Sequence, residues 1–184
     1  MQQKRIAVIV GSLRENSYNR QLALAAKEII GERAIFELID YADVPMMNQD
    51  IEYPAPDAVR RVREQIKAAD GVWIFTPEYN HSYPGVLKNL IDWLSRPISK
   101  EERQVLSRKP IAISGASPAM GGTVTAQDLL VMLLSMLNAN VMNAPRLAVS
   151  DMTQQTDEAG HLALSASLPY LQKQADAFLK FIEQ

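Results

Sequence analysis

Five short apolar runs, Ile6 to Val10, Ile35 to Ile39, Val72 to Phe75, Ile111 to Ser114 and Leu147 to Val149, alternate with stretches of helical period. Runs of this length, mostly apolar and rich in β-branched residues, read as strands buried on both faces. Between them, Val59, Val62, Ile66 and Ala69 share one helical stripe, with Arg60, Arg61, Arg63 and Glu64 mostly turned away. Leu87, Leu90, Ile91 and Leu94 form a second stripe, and Leu171, Ala175, Phe178, Leu179 and Ile182 a third. Strand and helix alternating from end to end predict right-handed βαβ units and a parallel sheet covered on both faces. The expected architecture is an α/β doubly wound, five-stranded parallel sheet in the order 2-1-3-4-5. At 184 residues and 47% hydrophobic, residues 1–184 suit one domain with its own core.

Sheets of this kind bind ligands beyond the carboxyl ends of their strands, where the strand order reverses. The turns after strands 1, 3 and 4 therefore carry the expected function. The first reads GSLRENSYNR, Gly11 to Arg20. It lacks the glycines of G-x-G-x-x-G and the lysine of G-x-x-x-x-G-K-[ST], so it fits neither a dinucleotide pyrophosphate nor a nucleoside triphosphate. A phosphate monoester suits it better. Hydroxyls at Ser12 and Ser17, the Asn19 amide, the N–H groups of a helix start and the Arg14 guanidinium match a compact dianion.

The second turn, TPEYNHSYPG, is stiffened by Pro77 and Pro84, with Pro84 suited to the first position of the next helix. Tyr79, His81 and Tyr83 offer flat surfaces, and Glu78 and Asn80 polar edges. Opposite a phosphate grip, such a loop suits a planar heterocycle with carbonyl and imide groups. The third turn, Gly115 to Gly122, contains Ser117.

Three loops in order, G-S-L-R-E-N-S-Y-N, then P-E-Y-N-H-S-Y-P-G with L-K-N-L-I-D-W-L-S-R-P, then G-A-S-P-A-M-G-G, resemble the NADPH-dependent FMN reductase family. The likeness runs from about Arg5 to the last helix and is nearest to soluble bacterial quinone and chromate reductases. It implies a flavodoxin-like fold with non-covalent FMN and NADPH or NADH as electron donor. It also implies that Ser12, Arg14, Ser17, Tyr18 and Asn19 hold the FMN phosphate end. Pro77, Glu78, Tyr79 and Asn80 would line the isoalloxazine, with His81 adjacent and Ser117 near the ring or ribityl chain. Flavin N5 carries the hydride chemistry, so the protein supplies binding, orientation and electrostatics and no catalytic side chain is required. The implied acceptors are quinones, chromate, azo and nitro compounds, and free flavin.

Two rivals belong to other classes. Ser117, Asp151 and His161 occur in the chain order of an α/β-hydrolase triad, yet Gly115-Ala116-Ser117-Pro118-Ala119 lacks the second glycine of G-x-S-x-G, and Pro118 removes an oxyanion-hole N–H. A flavodoxin-type carrier without its own nicotinamide reaction is the other. Strong surface charge would steer such a carrier, and the formal net charge is only −2. The same figure, with no basic cluster, argues against a nucleic-acid partner. There are no cysteines, hence no thiolate chemistry, and no carboxylate cluster with metal spacing.

From Leu129 to Leu137 every residue except Ser135 is apolar, so this helix is hydrophobic all round. Either it is deeply covered, with Met132 and Met136 filling gaps, or it packs against a second subunit. The expectation is a homodimer, or a tetramer made of dimers. No apolar run approaches a membrane span, and the expected location is the cytoplasm.

Overall fold

The computed structural model describes residues 3–184. Its sheet contains β1 (Lys4–Val10), β2 (Ala34–Leu38), β3 (Gly71–Phe75), β4 (Pro110–Ala116), β5 (Asn140–Val141) and β6 (Leu147–Val149). All pairs are parallel, in the order β2-β1-β3-β4-β5, with β6 also on β4. The expected order is observed, with one difference at the edge. The last strand is split: β5 pairs with Pro110 and Ile111 at the start of β4, and β6 pairs with Ser114 to Ala116 at its end. Pro145 lies between the two pieces and has no N–H to offer the ladder, which interrupts it there.

Successive strand residues point to opposite faces. Ile6, Val8 and Val10 enter one core with Leu22, Ala23 and Ala26 of α1 (Tyr18–Ile30) and Leu171, Ala175 and Phe178 of α5 (Leu168–Phe181). Ala7 and Ile9 enter the other, against α2 (Asp57–Ala68), α3 (Gly85–Leu94) and α4 (Val124–Met136). The three helical stripes read from the sequence lie inward, with Leu179 only half-buried. Arg63 departs from its expected outward orientation. It is buried, with Nη2 donating to the Trp93 carbonyl at 2.9 Å.

The apolar helix is α4, and it is covered on one stripe only. Ala126, Gln127, Leu130 and Leu134 are buried, whereas Met132 is 59% and Met136 83% exposed. The methionines therefore fill no gap in the core. They leave an apolar strip facing outward.

Candidate active site

The three turns converge at the carboxyl edge of β1, β3 and β4. The Gly11 N–H donates to the Phe75 carbonyl at 2.7 Å and the Thr76 N–H to the Ser114 carbonyl at 2.9 Å, so strand pairing continues into the turns. Gly11 is needed for this approach: a Cβ there would lie 3.2–3.3 Å from Thr76, Leu87 and Pro77. A Cβ on Gly115 would overlap Thr123 and the Thr76 carbonyl. Missing side chains thus bring the first turn onto the second and the second onto the third.

In the first turn, Ser17 caps α1, its Oγ accepting the Arg20 N–H at 3.1 Å. That leaves the hydroxyl proton free to donate beside the uncovered N–H groups of the helix start, a donor set suited to a phosphate. Ser12 is half-buried, and its Oγ faces the Arg14 N–H at 3.4 Å. The exposed Arg14 guanidinium lies 5.3 Å from the centre of the Tyr18 ring. Asn19 is arranged differently from the others. Its amide is buried, donating to the Ala116 carbonyl at 3.0 Å and accepting the Ala116 N–H at 2.9 Å, so its side chain ties α1 to β4.

The second turn is a tight hairpin. Tyr79 and Ser82 exchange two backbone hydrogen bonds, of 2.9 and 3.1 Å, and the residues between them, Asn80 and His81, have φ of 52° and 59°. Both central residues at positive φ define the type I′ geometry, for which asparagine is among the best-suited side chains. The turn holds Tyr79 53% exposed and turns the His81 ring to solvent, its Nδ1 3.6 Å from Glu78 Oε1. Glu78 Oε2 accepts the Ala126 N–H at 3.0 Å. This is the third residue of α4, and the helix has no cap from its own Thr123. Pro84 sits one place before its expected position, at the cap of α3, where its carbonyl accepts the Lys88 N–H at 3.0 Å.

In the third turn Ser117 is buried, its N–H donating to the Val149 carbonyl and its Oγ accepting the Ala119 N–H at 3.2 Å. The hydrolase alternative is not assembled. The exposed His161 ring faces Asp157 at 3.3 Å, and the Ser117 hydroxyl folds back on its own turn.

A family model described as NADPH-dependent FMN reductase matches residues 4–154. This chain belongs to the NADPH-dependent FMN reductase family. It is 37% identical over 178 residues to a 2-hydroxy-1,4-benzoquinone reductase of Burkholderia sp, covering 97% of this chain and 96% of the relative. It is 38% identical over 177 residues to an NAD(P)H-dependent FMN reductase of Pseudomonas aeruginosa, covering 96% and 94%. Among solved structures, the flavoenzyme NAD(P)H:(acceptor) oxidoreductase FerB from Paracoccus denitrificans superposes with a TM-score of 0.87 at 34% identity, covering 98% and 97%.

The cofactor of an NADPH-dependent FMN reductase is a mononucleotide, and the donors of the first turn fit one. The end of β2, outside the turns after strands 1, 3 and 4, also borders the first turn. There Asp40 and Tyr41 face Ser12, Arg14 and Arg20 across a recess of about 590 Å³. The carboxyl edge of β2 was the available signal, because every strand of a parallel sheet ends on the ligand side. A larger recess, about 730 Å³, is lined by residues 97–104 at the far end of α3, where β4 is about to begin, and is remote from the three turns.

Proposed function

We propose that this chain is an FMN-dependent NAD(P)H oxidoreductase whose acceptors are quinones and, more broadly, small electron-poor compounds such as chromate, azo and nitro compounds and free flavin. The observation that carries the reading is the convergence of a phosphate-type donor set, an aromatic hairpin and a buried serine turn at one edge of the sheet. When bound, FMN supplies hydride and electron transfer at its ring. Ser12, Arg14, Ser17 and the first N–H groups of α1 hold its phosphate. Asn19 positions that grip from behind. Pro77, Glu78, Tyr79 and Asn80 line the ring, with His81 at the mouth and Ser117 beside the ring or ribityl chain. The protein's part is to bind and orient donor and acceptor in turn against the same surface.

The chain works as a homodimer or a tetramer of dimers, with α4 in the interface. Support comes from Met132 and Met136, one turn apart on α4 and each more than half exposed in the single chain, an apolar patch that water disfavours. Among the described residues no helix is long and apolar enough to cross a membrane.

Purified protein mixed anaerobically with NADPH or NADH tests the assignment. A yellow protein bleached by the nucleotide alone, and re-coloured by a quinone, is the expected result. Yellow protein that stays yellow would make it an electron carrier; protein that binds no FMN would remove the reading.

A further inference from the structure

The recess on the β2 side of the first turn shares Ser12 and Arg14 with the FMN grip, and its other charged residues, Glu15, Arg20 and Asp40, have no part in the FMN assignment. Its rear wall is fixed. The buried Tyr41 hydroxyl donates to the Val10 carbonyl at 2.6 Å, and burial holds its proton far above the usual phenol range. Asp40 is fixed as well: Oδ1 accepts the Ala42 N–H at 3.1 Å, and the Asp40 carbonyl accepts from Arg61, which also grips Asp43 with two hydrogen bonds. Asp40 lines the recess, and its Oδ2 accepts no hydrogen bond among the described residues.

Four charged side chains, Arg14, Glu15, Arg20 and Asp40, line this space, and among the described residues none of them forms an ion pair. Opposite charges sharing one recess without pairing leave the Asp40 carboxylate free to accept from hydroxyls and, with Arg14 engaged by the FMN grip, the Arg20 guanidinium free to bind phosphate. Leu13, 53% exposed, and half-buried Leu38 add apolar surface against which a flat base can lie. Glu15 is exposed, where solvent weakens its repulsion of an anion. The volume, about 590 Å³, lies within the range of small-molecule pockets, roughly 300–1,000 Å³.

We propose that this recess binds the adenosine-phosphate half of the nicotinamide donor, with Asp40 accepting from ribose and Arg20 contacting a phosphate. The proposal rests on the FMN reading above, because the recess shares Ser12 and Arg14 with the phosphate turn. The recess therefore adjoins the FMN phosphate turn on its β2 side. The phosphate is either the pyrophosphate or the 2′-phosphate of NADPH, and the two sources differ in the probe that reports them.

FMN-saturated holoenzyme titrated calorimetrically with ADP and with adenosine 2′-monophosphate tests this. Arg20→Ala removes an exposed side chain that makes no hydrogen bond, and Asp40→Asn keeps the acceptor for Ala42, so both variants retain the fold. In the double variant, whichever probe the wild type binds is expected to bind about tenfold more weakly or worse, the size of losing charge-assisted hydrogen bonds. The KM for the nicotinamide donor rises in step, with kcat and flavin content unchanged. Weakening of ADP assigns the pyrophosphate; weakening of adenosine 2′-monophosphate assigns the 2′-phosphate. Arg20→Lys restores part of the lost affinity. If neither probe binds the wild type, or affinity in the double variant stays within about threefold, the proposal fails. Bleaching of bound FMN by NAD(P)H in the same preparation would show that the parent reading survives that failure.

Discussion

The side-chain amide of Asn19 makes two hydrogen bonds to one residue, Ala116, joining the first turn of α1 to the end of β4. Both partners are buried, so removing the amide strands a backbone N–H and a carbonyl without water. Asn19→Ala is expected to lower stability by roughly 2–4 kcal/mol, the cost of two unsatisfied buried groups. Asn19→Asp should also destabilise, because it keeps the acceptor and loses the donor. Urea unfolding of the three proteins checks the order.

Glu78 reaches from the second turn to cap α4 at Ala126, in place of the helix's own cap residue. A carboxylate at a helix start gains from the helix dipole as well as from the hydrogen bond. Glu78→Ala is expected to cost about 1 kcal/mol and to loosen the hairpin that carries Tyr79. Glu78→Gln keeps an acceptor and should recover most of that loss. Amide hydrogen exchange at Val124 to Ala126 reports the cap directly.

The sheet was legible because its central strands are buried on both faces: Ile6 to Val10 has no polar residue to confuse the period, whereas the edge strand β2 departs from that expectation, with Ile35 37% exposed. The site was legible where chemistry is local, as with Ser17, whose hydroxyl lies at the start of the helix it caps. Contacts across long sequence separations were not legible. In sequence Asn19 belongs with the phosphate grip, because nothing near it in the chain reveals Ala116, 97 residues on. Arg63 turns away from its helical stripe on a helical wheel, which does not contain Trp93. The edge strand shows as one piece because Leu147 to Val149 carries the apolar run, while Asn140 and Val141 alone are too short to show a period.

Glu52 and Arg96 form a two-point ion pair, with Nε to Oε1 at 2.8 Å and Nη2 to Oε2 at 3.1 Å, and the Glu52 side chain is 5% exposed. The Arg96 hydrogen bonds hold the Glu52 carboxyl below its usual range, against an opposing effect of burial. A carboxyl with a lowered folded pKa adds stability that is complete above its unfolded value, about 4.3, and fades as pH falls through the folded value. The wild type should therefore lose stability as pH falls below about 4.3, and Glu52→Gln should lose roughly 2 kcal/mol at neutral pH while showing a shallower acid slope. Thermal unfolding between acid and neutral pH distinguishes the two.

Met132 and Met136 stand one helical turn apart on the outward strip of α4. A charge buried in an apolar interface is costly unless paired, and the same charge on a solvated helix is not. Met132→Glu with Met136→Glu should therefore split the proposed oligomer and leave each subunit folded. Sedimentation at micromolar protein concentration checks this; an unchanged mass would move the interface off α4.

Arg14 is the one side chain of the first turn that brings a full positive charge to the proposed phosphate grip, and its stacking near Tyr18 holds the guanidinium close to that turn. A hydrogen bond to a charged group contributes more than a neutral one, so Arg14→Ala should weaken FMN binding by about tenfold or more. Riboflavin separates this effect from any general damage to the pocket, because it has the same ring and ribityl chain without the phosphate. Its affinity should be equal in the wild type and Arg14→Ala. Arg14→Lys keeps the charge but loses the planar fork and the ring contact, and is expected to fall between them. Fluorescence titration of apoprotein with both flavins makes the comparison. Equal loss for FMN and riboflavin would mean that Arg14 shapes the turn without touching the phosphate.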